Sequence, residues 1–477
     1  MRKKLIGVLL AVIVFSMTLP MVSIATQVTG ANQAMQIALI GALGTTSSPD
    51  VVEVTATSGF YDDLGTIYSV RTQDGVYIKV LRYHPPGQSF NTGKQPILLF
   101  PGILANINEF LSHSTPRVKQ FYNVTLPNDI ADWAKGDKNI EKDPLLYYSI
   151  AYYLWKQGYD VWLANYRGVG YKEMKSGEGS SKTSLDKFAL YDARAAIGLV
   201  YDKTGKHPVV GGHSTGGLVT MMLLQGTYIN TFGRVVSSDS LVKQRNGITE
   251  GRETIKGFIA LEPAGIPTIT KLLDTYLGWM LLDTGLFLDL RSIIELLDGQ
   301  GRCSMIYILE EVLSQFGPYI KDIVENILNM DLTDLTPALG YYHMAYSLDG
   351  VYFDTLAQYA DFAFNRVIRE YFKNGILNQY RIEPPTPLPG IDGYYYYTGS
   401  NMKKMRVPII AILATHQNNY LDLVNATEII EDFIKGKTPS PYDCYVWVEG
   451  AHIDAPIGIR APAVAFPAIG AWLKAIA

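Results

Sequence analysis

The stretch "HPVVGGHSTGGLVTMM", His207 to Met222, decides how this chain is read. A short apolar run ends in two glycines, a histidine and Ser214, and a second apolar run begins after Thr215-Gly216-Gly217. The first run has the length of a buried strand, and "GGLVTMMLLQG" is long enough to begin a helix. Ser214 therefore falls on a strand-to-helix turn, inside the G-x-S-x-G stretch Gly212-His213-Ser214-Thr215-Gly216. A serine there is held strained above the sheet, and its flanking glycines let neighbouring chains come closer than Cβ atoms allow. The turn also aims the Thr215 N–H toward an anion forming on a bound carbonyl. The plainer reading is a glycine-rich structural bend.

On either side of this stretch, short β-rich runs alternate with helical ones. "TIYSVRT" and "VYIKVLRYH" flank the Asp74-Gly75 turn as a hairpin, and "QPILLFPG" has the look of a buried parallel strand. "YYSIAYYLWKQG" predicts a helix closing at Gly158, followed by the strand "YDVWLANY". "KFALYDARAAIGLVYDKTG" predicts a second helix ahead of the Ser214 strand. "GFIALEPAG", "VPIIAILAT" and "CYVWVEG" supply further strands. Alternation of this kind predicts an α/β fold, a mostly parallel sheet with helices on both faces. Between 266 and 405 the strand pattern stops. "LLDTYLGWMLLDTGLFLDL", "CSMIYILEEVLSQFG" and "YIKDIVENILNM" predict helices there, and a Tyr- and Pro-rich loop follows. The expected organisation is a core in two parts, 61–265 and 406–477, interrupted by a helical lid or cap at 266–405. A purely structural packing layer is the plainer account of that insertion.

If Ser214 is a nucleophile, its base belongs late in the chain, past the last strand. His452, in "CYVWVEGAHID", stands there. His84 follows an early strand, His113 and His343 fall in loop or lid, His213 adjoins the serine, and His416 ends the penultimate strand. A second oxyanion donor is expected from the turn after "PILLF", where the Ile103 N–H would converge with that of Thr215. The acid is harder to assign. Gln417 and Asn418 follow "VPIIAILAT", and an amide can orient an imidazole without stabilising its charge. Glu262, at the end of "GFIALEPAG", is the expected acid, and Asp422 is the alternative. A solvated strand-end carboxylate is the plainer reading of Glu262.

The 477 residues are 48% hydrophobic, enough for a large core, and the net charge of −4 provides no basic field for nucleic acid. Arg2, Lys3 and Lys4 precede an apolar run from Leu5 to Leu19 and a small-residue site at Ser23-Ile24-Ala25. That pattern predicts a signal peptide over 1–25, with an uncleaved anchor as the alternative, and a leader segment over 26–60. The protein is then expected outside the cell or anchored by its N-terminus. Cys303 and Cys444 are the two cysteines; whether they pair is open, and neither sits at metal-ligand spacing. Asn123-Val124-Thr125 and Asn425-Ala426-Thr427 fit the glycosylation acceptor pattern.

From about Gly65 onward the chain resembles the α/β-hydrolase superfamily, and most nearly its acid-lipase branch. The resemblance rests on "DGVYIKVLRYH" before "PILLFPGILAN", on "LWKQGYDVWLANYRGVGY", on "YDARAAI" ahead of Ser214, and on "YYYYTGSNMKKMRVPI". It implies cleavage of neutral lipid esters without metal or organic cofactor, a helical lid, Ser214 as nucleophile, His452 as base and Ile103 as oxyanion donor. Three positions depart from that branch: Thr215 stands where it has glutamine, Pro101 where it has histidine, and Gln417 where it has its catalytic aspartate. "IALEPAG" is instead similar to the acid-bearing segment of pancreatic-type lipases, which favours Glu262. The expected partner is a lipid or other apolar ester, with contact to a lipid interface left open. An inactive binding protein on the same fold and an acyltransferase using the same serine are the rival readings.

Overall fold

A central sheet of nine strands organises the described residues of this computed structural model. Those residues are 51–54, 59–179, 183–266, 268–269, 287–289, 291, 294–295, 335–371, 394–396, 399–415, 421–422 and 429–477. In chain order the strands are β1 (Val51–Val54), β2 (Gly65–Arg71), β3 (Tyr77–Tyr83), β4 (Pro96–Phe100), β5 (Asp160–Ala164) and β6 (Val209–Ser214). After them come β7 (Phe258–Pro263), β8 (Ile409–Ala414) and β9 (Cys444–Val448). Their spatial order is β1-β2-β3-β5-β4-β6-β7-β8-β9. The six strands from β5 to β9 are parallel, and β1, β2 and β3 form an antiparallel edge joined to β5.

Period-two alternation distributes side chains to two cores. Ile97, Leu99, Val161, Leu163, Ile259, Leu261, Ile410 and Ile412 face one way, against α1 (Ile150–Lys156) and the C-terminal helix α5 (Ala465–Ile476). Leu98, Phe100, Trp162, Val210, Phe258, Ala260, Ile409 and Ala411 face the other, against α2 (Arg194–Thr204) and α3 (Thr215–Leu224). A strand covered on both faces must be apolar at every position. "PILLF" is buried throughout for that reason.

Three local expectations change. β1 lies inside the segment read as a leader, and its register against β2, Val51 opposite Val70, makes it an edge strand. Phe287–Leu288, expected to be helical, pairs antiparallel with Val351–Tyr352, and the Phe287 ring packs 4.7 Å from that of Tyr352. A cross-strand aromatic contact there overrides a helical period. Thr268–Ile269 likewise pairs with Leu421–Asp422, so short strands do occur where none were expected. Residues 335–371, including α4 (Phe353–Asn365), pack against the sheet's carboxyl edge. Residues 1–50 and 55–58 of the predicted signal peptide and leader, the predicted helices over 303–317 and 319–330, most of the Tyr-rich loop, and residues 416–418 lie outside the described residues. No described helix is long and apolar enough to cross a membrane. Cys444 carries a free thiol.

Candidate active site

Ser214 ends β6 and caps α3 with φ 50° and ψ −111°, a conformation that L-residues rarely adopt. The surrounding chain leaves no room to relax it. A Cβ on Gly212 or on Gly216 would lie 2.2 Å from the Phe100 carbonyl oxygen, because β4 and the start of α3 press against the turn. Gly216→Ala is therefore expected to destabilise the fold by roughly 3 kcal/mol or more, the overpacking penalty of a rigid backbone contact, read from denaturant unfolding. The Ser214 hydroxyl is buried and has no hydrogen-bond partner among the described residues. Thr215 is the first residue of α3, so its N–H is one of those a helix leaves without an internal acceptor.

Gly102 and Ile103 turn out of β4 directly against the serine. A Cβ on Gly102 would stand 3.4 Å from Cβ of Ser214. The Gly102 N–H donates to Glu109 Oε1 at 3.0 Å, so it is already engaged, and Ile103 is the next backbone donor in that turn. Leu104 follows with φ 60°.

His452 sits in the turn four residues beyond β9, and its ring packs 4.8 Å from the ring of His213. The His213 Nε2 lies 3.2 Å from the main-chain oxygen of His452. Neither ring nitrogen of His452 is hydrogen-bonded among the described residues. Burial, reinforced by the neighbouring His213, pushes the His452 imidazole well below the ordinary histidine range. Ser214 and His452 are thus gathered around one histidine without a hydrogen bond joining them. Catalytic hydrogen bonds commonly tighten only once substrate is bound.

Glu262 is the extra residue of a β-bulge. His213 pairs with Leu261 and Ser214 with Pro263, which leaves Glu262 outside the ladder with φ 40°. A bulge re-aims a side chain, and this one turns a buried carboxylate to accept the N–H of Ala414 at the end of β8. Glu262 makes no hydrogen bond to His452. The backbone of Asp422 pairs with Thr268, a few residues beyond Glu262. Seven described residues other than glycine have positive φ, and Leu104, Ser214 and Glu262 among them cluster at this one edge. Strain concentrated in one place is a mark of function.

Sequence reasoning missed three neighbours. Glu109 lies 3.3 Å from His213 Nδ1. Tyr359 of α4 hydrogen-bonds Thr215 through their hydroxyls at 2.8 Å. His343, buried and pushed down to about 3 by its burial and by His213, contacts Ser347 Oγ at 3.0 Å. Only Glu109 left a signal, as a lone carboxylate in the apolar segment after β4. Residues 343–349 are also laced to the turn after β4. The Asn106 N–H donates to the Ser347 carbonyl at 2.9 Å, and the Asp349 N–H to that of Leu104 at 2.8 Å. No cluster of His, Cys, Asp and Glu is arranged to hold a metal among the described residues.

The family model Hydrolase_4, described as serine aminopeptidase, S33, matches residues 107–272. Human gastric triacylglycerol lipase is 29% identical over 254 residues, 49% of this chain and 50% of that protein. Lipase lipl-3 of Caenorhabditis elegans is 29% identical over 208 residues, 42% of this chain and 39% of that one. The matches thus span about half the length of these relatives or less. A thermophilic esterase from Thermogutta terrifontis superposes distantly, with a TM-score of 0.34 and 13% identity over 90% of this chain and 99% of that one. Strand order, the serine turn and the sequence likeness agree: this chain has the α/β-hydrolase fold and is related to the lipases that share it.

Proposed function

We propose that the protein is a serine hydrolase of apolar carboxylic esters working through an acyl-enzyme. The observation that carries this reading is the buried hydroxyl of Ser214, without a hydrogen-bond partner among the described residues and held in a strained strand-to-helix turn beside the ring pair His213–His452. His452 accepts the Ser214 proton as Oγ attacks the ester carbonyl, then returns it to the departing alcohol. Glu262 orients the imidazole and stabilises its charged form. The Ile103 and Thr215 amides stabilise the oxyanion, each worth on the order of 3 kcal/mol. Water then enters by the same base-assisted route and releases the acid.

The apolar segments within 266–405 and the lipase kinship favour a greasy acyl group, with 266–405 acting as a cap. The basic N-terminus and apolar run favour export, either released or anchored. Two measurements test the assignment. A fluorophosphonate probe is expected to label wild-type protein and not Ser214→Ala. A series of p-nitrophenyl esters is expected to show kcat/KM rising with acyl length beyond acetate. Absence of labelling would support an inactive binding protein, and a preference for acetate would remove the lipase reading.

A further inference from the structure

Glu109 has no role in the mechanism above, yet it is only 4% exposed and lies at the centre of the site. It projects from a short helical turn, Ile107–Phe110, just after the loop that carries Ile103. Its two oxygens are divided between two elements. Oε1 accepts the Gly102 N–H at 3.0 Å, and Oε2 faces Nδ1 of His213 at 3.3 Å. The other nitrogen of His213 faces the main-chain oxygen of His452 at 3.2 Å. A carboxylate and a carbonyl only accept hydrogen bonds, so a ring that donates to both carries a proton on each nitrogen.

We infer that Glu109 and His213 form a buried ion pair that positions the oxyanion loop and the His452 loop around Ser214. The inference rests on the Ser214–His452 reading above. The connection runs from the Gly102 amide through the carboxylate and the imidazolium to the His452 carbonyl, and it spans three segments far apart in the chain. Gly102 is fixed by Glu109, so the next amide, Ile103, is held in register with Thr215. The His452 backbone is fixed by His213, which sets where the ring of the base can swing. The titratable groups facing His213 are Glu109, His452 and His343. His452 and His343 are kept neutral by burial, so the carboxylate is the counter-ion. Both members are positioning residues.

The test uses the full chain and two variants. Glu109→Gln keeps an oxygen for the Gly102 amide but offers His213 only a donor. Glu109→Leu removes both contacts. Loosening one oxyanion donor predicts a kcat loss of about 10-fold for Glu109→Gln and about 100-fold for Glu109→Leu, with KM within about two-fold. Nitrogen NMR of 15N-histidine protein, with His213 assigned from His213→Asn, is expected to show both ring nitrogens protonated at neutral pH. Glu109→Gln is expected to leave one of them bare. If Glu109→Leu does not fold, Glu109→Gln decides alone. Unchanged kcat in Glu109→Gln, a loss confined to KM, or a neutral His213 in the wild type overturns the inference while Ser214 labelling stands. A wild type that a fluorophosphonate does not label at Ser214 overturns the site reading, and this inference with it.

Discussion

Ser214→Ala is expected to lower kcat on p-nitrophenyl butyrate by on the order of 10⁵-fold or more, leaving KM and the folded state nearly untouched. The hydroxyl has no hydrogen-bond partner among the described residues, so its removal breaks no structural contact. His452→Ala is expected to lose a similar amount, and the double variant little more than either, because nucleophile and base act as a unit. The pH dependence follows from the burial of His452. A base works only when neutral, and the His452 imidazole is held well below the ordinary histidine range. The acid limb of kcat/KM is therefore expected below pH 6.5, the reference histidine value, rather than at or above it. Retention of more than a tenth of wild-type kcat by Ser214→Ala would place the chemistry elsewhere.

The serine turn was legible in the sequence because every feature it needs is local. Gly212 and Gly216 sit two residues either side of Ser214, and the strand and helix they join have distinct patterns of their own. The hairpin at Asp74-Gly75 and the parallel strands were legible for the same reason. Elements that depend on distant partners were not. β1 is four residues whose identity as a strand comes from pairing with β2. Phe287–Leu288 is extended because Val351–Tyr352 lies beside it. Glu109 meets His213 across 104 positions of sequence, and Tyr359 meets Thr215 across 144. No spacing rule reaches that far. In the sequence His213 only adjoins the serine; the fold places it between Glu109 and the His452 backbone. Glu262 is a candidate acid in the sequence from its place at a strand end and from the likeness of "IALEPAG" to pancreatic-type lipases, but the bulge that turns its carboxylate inward is visible only once β6 and β7 are paired.

Glu262→Gln is expected to lower kcat by roughly 10³- to 10⁴-fold, while Asp422→Asn changes it by less than about three-fold. The glutamine has nearly the same shape and retains an oxygen that can accept the Ala414 N–H, so the bulge should survive. What it loses is the negative charge that the proposed mechanism sets against the His452 imidazolium. His452 lies in a place where burial already disfavours protonation, and the imidazolium formed during attack needs a carboxylate nearby to be reached at all. The penalty therefore belongs to kcat and leaves KM unchanged, and denaturant unfolding should show both variants folded. The opposite pattern, full activity in Glu262→Gln and a large loss in Asp422→Asn, would move the acid to the segment after β8. That outcome would leave the strain at Glu262, φ 40° on a buried bulge, as a purely structural feature of the sheet's carboxyl edge. The two residues separate cleanly because Glu262 is held by β7 itself, whereas Asp422 belongs to a two-residue ladder with Thr268–Ile269, outside the central sheet.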